Sequence, residues 1–186
     1  MYRKIVAEVL IQRTRAETVS AFVPAFTKRF PSWKRLAQAT EEDLRAFVQP
    51  PGLWRRRAAT LQKLALEMDR RRGCFPRTRD ELESLPGVGQ YVANAVLAQM
   101  HGEAVPLLDG GMARALERYF GPRELADIRH DAYLQALSHR VVDHERVVEM
   151  SWALLDLGAM ICKPSKPRCD SCKVKRGSCW AAELGS

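Results

Sequence analysis

Two stretches of this chain carry residues whose types and spacing can do chemistry. Residues 85–89 read Leu-Pro-Gly-Val-Gly. Farther on, Cys162, Cys169, Cys172 and Cys179 follow a C-x6-C-x2-C-x6-C spacing in a basic segment. Pro86, Gly87, Val88 and Gly89 form a tight corner ahead of a helix that opens at Gln90. Gly87 and Gly89 let the backbone turn sharply and let a ligand come close. The unbonded amides at the start of the following helix favour an anion. Such a helix-hairpin-helix grips a nucleic-acid backbone without reading its sequence. A plain corner with glycine caps fits the same residues. The four cysteines supply four thiolates, enough for one tetrahedral zinc or one iron–sulfur cluster. Zinc ribbons usually show two separated C-x2-C knuckles and here there is one, so the spacing leaves both metals open. Lys163, Lys166, Arg168, Lys173, Lys175 and Arg176 stud the loop, placed either to reach phosphate or to offset the charge of the thiolates.

A third candidate is Asp109. It follows the apolar run Val105-Pro106-Leu107-Leu108 and precedes Gly110-Gly111. Aspartate there is a good helix N-cap. It is equally a carboxylate kept ionised by a helix N-terminus, able to stabilise a developing cation or to activate water. Glu8, Gln12 and Arg15 share one helix face by their spacing, which a solvated polar face also explains. Leu53 and Trp54 stand at a turn followed by Arg55, Arg56 and Arg57; apolar residues at a basic turn can wedge into stacked bases, although a core anchor is the plainer role for Trp54. Arg70, Arg71 and Arg72 suit a helix C-terminus. No lysine lies between Lys63 and Lys163, so chemistry near the hairpin cannot draw on a lysine amine from that stretch.

The elements that must position these groups are helical. The chain has 186 residues, 46% hydrophobic, 8% aromatic, with 30 Lys and Arg against 22 Asp and Glu and a net charge of +8. That length supports one domain or two small ones. Arginine-rich basic character (pI about 9.5) suits nucleic acid and does not by itself exclude an ordinary basic protein. No secretory signal is visible and no run approaches the ~20 apolar residues of a membrane span. The expected location is the cytoplasm, with association to the nucleoid, where disulfides are rare. The fifth cysteine, Cys74, then reads as a free, part-buried thiol.

Helical period marks a first helix around Val6, Val9, Leu10 and Ile11 and a second over 16–29, which Pro24 is expected to kink or divide. A short helix follows Pro31-Ser32. Thr40 with Asp43 and Thr78 with Glu81 are expected capping boxes. Pro50-Pro51-Gly52 forces a turn, and a long helix runs from about Trp54 to Arg72, ended by Gly73. Further helices are expected near 90–100, from Asp109 to Tyr119, and near 131–141 and 144–159. Residues 162–179 show no helical period, and no strand pattern appears. The fold class is all-α.

These residues together resemble the helix-hairpin-helix (HhH-GPD) DNA glycosylase superfamily of endonuclease III and MutY, in the order hairpin, aspartate, four-cysteine loop. The resemblance covers nearly all of residues 1–180. It departs in the last cysteine gap, six residues where the family usually has five, and in lacking the family's N-terminal helix, the mark either of a truncated chain or of one that starts late. It implies two helical domains, taken as 1–103 (with the hairpin at about 81–100) and 104–186, and a cleft between them that binds double-stranded DNA. It implies a 4Fe-4S cluster on Cys162, Cys169, Cys172 and Cys179, with zinc as the alternative. It also implies base flipping, since an N-glycosidic bond is out of reach inside a duplex. By position, Asp109 is the catalytic aspartate and Glu8 the acid that engages the flipped base. Gln12 fills the vacated space, Leu53 wedges the partner strand, and Arg13, Trp54, Arg55, Pro86, Gly87, Val88, Gly89 and Gln90 complete the DNA contacts.

Tyr91 stands where bifunctional enzymes of the family carry a Schiff-base lysine and MutY-like enzymes usually serine. Tyrosine resembles the branch that removes thymine or uracil opposite guanine, as do Glu8–Thr14 and Ile161–Cys169. The expectation is therefore a monofunctional mismatch glycosylase acting as a monomer, with no membrane partner. The alternatives are a MutY-like adenine glycosylase and, from another class, a non-catalytic metal-loop DNA-binding module. The few residues after Cys179 are not expected to hold the C-terminal domain with which MutY recognises 8-oxoguanine.

Overall fold

The computed structural model describes residues 2–11, 16–48, 54–174 and 179–183. Among them there are helices and no strands, as the period predicts. The chain divides into two compact units, Met1–Val96 and Leu97–Ser186.

The first unit holds α1 (Tyr2–Ile11), α2 (Ala16–Arg29), α3 (Trp33–Ala37), α4 (Glu41–Val48), α5 (Trp54–Arg70), α6 (Arg79–Glu83) and the first part of α7 (Gln90–His101). α5 is its centre and packs against α1, α3 and α4. Leu36, Leu44, Leu61, Leu64 and Met68 are wholly buried along those contacts, each worth about 1.5–3 kcal/mol of removed apolar surface. Phe22, Phe26, Phe30 and Phe47 stack against one another with ring centroids 5.1–6.1 Å apart.

Local chemistry sets the helix ends. Ser32 accepts from Arg35 N (3.3 Å) and starts α3. Thr40 accepts from Asp43 N (3.0 Å) and donates its hydroxyl to Asp43 Oδ2 (3.0 Å). Thr78 departs from the expected box: its hydroxyl donates to Glu81 Oε2 (2.8 Å) and takes no backbone amide. Pro24 does not divide α2, which is one helix from Ala16 to Arg29. The proline has no N–H to give to the preceding turn, and the helix nonetheless runs on; beyond it the Thr27 hydroxyl donates to Val23 O (2.9 Å) and Pro24 O (3.3 Å). α5 ends at Arg70, two residues earlier than expected, because Arg72 (φ 54°) and Gly73 (φ 78°) both turn left-handed. Cys74 is exposed, not part-buried, since the chain leaves the helix there while Gly73 stays against Trp33.

The second unit is built on α8 (Gly110–Phe120), against which pack α9 (Ala132–Val142), α10 (Val147–Asp156), a π-helical turn (Leu157–Ile161) and α11 (Trp180–Glu183). Its core is Leu108, Met112, Ala113, Leu116, Leu134, Leu137, Val142 and Val147. The expected single helix over 144–159 is α10 continued by the π turn, and a 3-10 turn at Cys169–Ser171 interrupts the otherwise irregular loop. Asp131 caps α9 and ties down the segment before it. One oxygen accepts from Leu134 N (2.7 Å), and the other from Glu124 N (2.8 Å) and Leu125 N (2.7 Å). These amide bonds hold its carboxyl below the usual aspartate range.

Candidate active site and nucleic-acid interface

The hairpin is α6, the corner 84–89 and α7. Leu85 N bonds Leu82 O and Val88 N bonds Leu85 O, both at 3.1 Å, closing the corner. Leu82, Leu85, Val88 and Val92 are buried and pin it from inside. Val88, one of the expected DNA contacts, therefore offers backbone only. Gly87 has φ +76°, and a Cβ there would stand 2.3 Å from the Thr60 methyl of α5, so both conformation and packing demand glycine. Gly89 differs: a Cβ would meet nothing within 4 Å, so nothing inside the chain requires a bare Cα at that exposed position.

Tyr91 lies in the first turn of α7 and Glu8 on α1. The phenol of Tyr91 donates to the Glu8 carboxylate. Burial is the larger influence and raises the Glu8 pKa above the ordinary glutamate value, while the tyrosine bond pulls it down. Gln12, Arg13 and Leu53 lie outside the described residues, as does the Pro50-Pro51-Gly52 turn. The side chains of Trp54 and Arg55, at the start of α5, lie outside them too. Arg57 is buried, 8% exposed, and so is not the open basic residue its sequence position suggests. Arg70 and Arg71 are both engaged by Glu67 (2.7 and 2.6 Å).

Asp109 belongs to the second unit and is the N-cap of α8; its Oδ1 accepts from Met112 N at 2.7 Å. The side chain is exposed, and one oxygen satisfies the cap while Oδ2 has no such bond. Gly110 and Gly111 open the helix beside it, and the Met112 and Ala113 side chains behind them are fully buried. A residue that caps from an anchored helix holds its carboxylate at a fixed place.

The cysteine loop is tied to the same helix by two arginines that the sequence reading did not single out. Arg114 Nε donates to Cys162 O (2.8 Å) and its Nη2 to Gly158 O (2.7 Å). One turn on, Arg118 donates to Lys163 O (2.6 Å) and Pro164 O (3.0 Å), and its Nη1 is 3.6 Å from Cys162 Sγ. Cys179 Sγ is 3.2 Å from the Arg118 carbonyl. The first and last cysteines thus both touch Arg118, and Cys172 N bonds Cys169 O within one turn. No cysteine is in a disulfide. The donor set and the closure of the loop ends fit a four-thiolate centre, although among the described residues no three His, Cys, Asp or Glu side chains converge on one point. Lys175 and Arg176 lie outside the described residues; Lys166, Arg168 and Lys173 are exposed. The spacing of Arg114 and Arg118, one helical turn apart, was the available signal for this face; Gly158 offered none.

A helical fold with a glycine corner ahead of α7, an aspartate capping a later helix and a thiol-bearing loop belongs among DNA-repair glycosylases. The sequence profile described as HhH-GPD superfamily base excision DNA repair protein matches residues 6–142, and the chain belongs to that family. It is a DNA glycosylase, an enzyme acting on N-glycosyl bonds. It is 37% identical over 179 residues to the thymine/uracil-DNA glycosylase of Pyrobaculum aerophilum, covering 94% of this chain and 78% of that protein. It is 29% identical over 176 residues to the human adenine DNA glycosylase, covering 94% of this chain and 32% of that one. The solved structure of a thermostable thymine-DNA glycosylase superposes with a TM-score of 0.88 at 27% identity, over 98% of this chain and 84% of the other. Family membership sets aside the non-catalytic binding module. Among the described residues no helix is long and apolar enough to cross a membrane.

Proposed function

We propose that this glycosylase flips thymine or uracil mispaired with guanine out of double-stranded DNA and hydrolyses its N-glycosidic bond, with no strand-cutting lyase step. The observation that carries this reading is Tyr91 donating to Glu8 at the head of α7, at the position where the family's bifunctional members use lysine. The thymine and thymine/uracil glycosylases among its relatives support the choice of base. Mispaired bases sit in weakened pairs and flip at lower cost.

The chemistry follows from the placements. The bond between the base nitrogen and C1′ breaks and its electron pair leaves with the base. Glu8, whose pKa burial raises, donates from its protonated form to a base carbonyl and offsets that charge. Asp109 stabilises the cationic sugar with the oxygen not used in its cap and takes the proton of the water that attacks C1′, giving free base and an abasic site. Pro86–Gln90 hold the DNA backbone, with Gly89 leaving room for a phosphate to approach the main chain. Cys162, Cys169, Cys172 and Cys179 would hold a 4Fe-4S cluster, which when bound supplies a cross-link closing the loop. Its exposed Lys166, Arg168 and Lys173 then face phosphate. The enzyme works as a monomer in the cytoplasm, on the nucleoid.

A second reading, adenine excision, is favoured by the similarity to the human adenine glycosylase, and Glu8 serves it equally well. Single-turnover excision on G·T, G·U, A·G and A·8-oxoguanine duplexes, with and without alkali, decides. Cleavage of G·T or G·U strands only after alkali is expected. Activity confined to adenine duplexes would replace the proposal with the second reading, and cleavage without alkali would refute the absence of a lyase step.

A further inference from the structure

Asp109 is held by more than its cap bond. A Cβ on Gly111 would stand 3.2 Å from Asp109 Oδ1 and 3.5 Å from Oδ2, so the carboxylate lies directly over the bare Cα of Gly111. Gly111 is in turn met by Gly158. A Cβ on Gly158 would fall 2.5 Å from both the carbonyl carbon and oxygen of Gly111 and 3.0 Å from its Cα. Those are backbone atoms and cannot rotate away. Gly158 has no left-handed φ, so its conformation is open to any residue and the requirement for glycine is the contact itself. It sits in the π turn, where Cys162 N bonds Leu157 O at 2.7 Å. The carbonyl of Gly158 is pinned by Arg114 Nη2 at 2.7 Å. Single π turns inside helices recur where a residue must be re-aimed at a functional site. A regular α-helical continuation of α10 would bring a different residue to face the first turn of α8.

We propose that Gly158 is a positioning residue for excision: the π turn presses its bare Cα onto the Gly111 peptide, and this backbone contact sets where the Asp109 carboxylate stands. The inference rests on the reading of Asp109 as the group that faces the cationic sugar. Gly158 is buried, and its effect passes through the first turn of α8 that it touches. A methyl at 158 has to push that turn aside by roughly the overlap it creates, and a displacement near 1 Å is enough to cost on the order of a hundredfold when a charged group must meet a transition state.

The test compares two non-cleavable duplexes, one with a pyrrolidine abasic analogue that is cationic and resembles the charged sugar, the other with neutral tetrahydrofuran. The ratio of their Kd values reads the Asp109 charge and cancels general losses of DNA affinity or of folded protein. The wild type is expected to prefer the cation, and Asp109→Asn to lose that preference. Gly158→Ala is expected to lower it by about tenfold or more, with the affinity for the neutral duplex within about threefold. Gly111→Ala, whose methyl would stand nearest the carboxylate at a tight 3.2 Å, is expected to lower it in the same direction and by less. If the wild type shows no preference, or Asp109→Asn keeps it, the role of Asp109 falls and this proposal with it. If the preference depends on Asp109 yet survives in Gly158→Ala, this proposal alone is overturned. Should Gly158→Ala not fold, an unchanged preference in Gly111→Ala overturns it just as well, because the carboxylate then tolerates displacement.

Discussion

The proposed mechanism gives Asp109 a second duty beside its cap bond to Met112 N, and the two can be separated. Asparagine caps a helix about as well as aspartate, so Asp109→Asn should keep the Met112 bond and the fold. It removes the negative charge proposed to face the sugar. We expect single-turnover excision to fall by roughly 10²–10³-fold, the usual loss for one preorganised electrostatic group, while duplex affinity changes little. Full activity in that variant would remove Asp109 from the mechanism. The Glu8–Tyr91 pair makes a prediction about pH. Burial raises the Glu8 pKa and the tyrosine bond lowers it. The acid-competent form is the protonated one, present below the folded pKa and lost as pH rises through it. Tyr91→Phe deletes the lowering influence, so the folded pKa moves further up. The alkaline limb of the pH–rate profile should therefore shift to higher pH in that variant; a shift to lower pH, or none, would separate Tyr91 from Glu8. The same raised pKa makes Glu8 a cost to folding above the unfolded glutamate pKa, where only the folded state still holds the proton.

At the level of elements, the bare Cα of Gly87 in the hairpin leaves room for the Thr60 methyl of α5. Gly87→Ala incurs a left-handed backbone penalty of about 1–2 kcal/mol and an overpacking penalty of about 1–3 kcal/mol against Thr60. Thr60→Ser deletes the atom that is struck. The double variant should recover the second part and not the first, as read by urea denaturation; full recovery would mean that φ at this position costs nothing. The contrast between local and distant interactions explains what the sequence made legible. Ser32, Thr40 and Asp109 bond amides three residues away, so their roles as caps could be read directly. Of the kink or division expected at Pro24, the division did not follow, because α2 continues through the proline. The Gly158–Gly111 contact joins residues far apart in sequence through backbone atoms, which leave no pattern of side-chain types; the Arg118 clamp sets a side chain on distant carbonyls, so only its arginine spacing could have been read. Cys74 was misplaced for a related reason: its exposure follows from two left-handed residues, only one of which is glycine.

For the whole molecule, charge and the thiol loop make separable predictions. Contacts to about six phosphates would give a slope near −5 for log affinity against log salt. Replacing Lys166, Arg168 and Lys173 with serine should make that slope shallower by about 2–3 if they reach phosphate, since each contact contributes about 0.9. An unchanged slope with poorer retention of iron would instead assign them to balancing the thiolates. Protein purified without oxidation should carry iron and sulfide in about equal amounts, as a 4Fe-4S cluster requires. Zinc alone would refute the cluster.

Asp131 gives the irregular segment between α8 and α9 an unusual economy. Its single carboxylate gathers amides from that segment and from the following helix, so a stretch with no ladder of its own leans on that carboxylate, with Gln135 Nε2 donating to Ile128 O (2.7 Å) and the Arg123–Glu117 pair as further ties. Such a segment should open all at once rather than fray. Arg123 and Arg129 lie within it, offering trypsin a cut on each side of the anchored amides. Intact, the segment should resist nicking near neutral pH. Acid should release it in one step, because the depressed carboxyl gives up its bonds only as pH falls through its folded value, below the ordinary aspartate range. Asp131→Ala should reproduce that release at neutral pH, freeing the short piece between the cuts and leaving two large fragments that stay together on a sizing column until denatured.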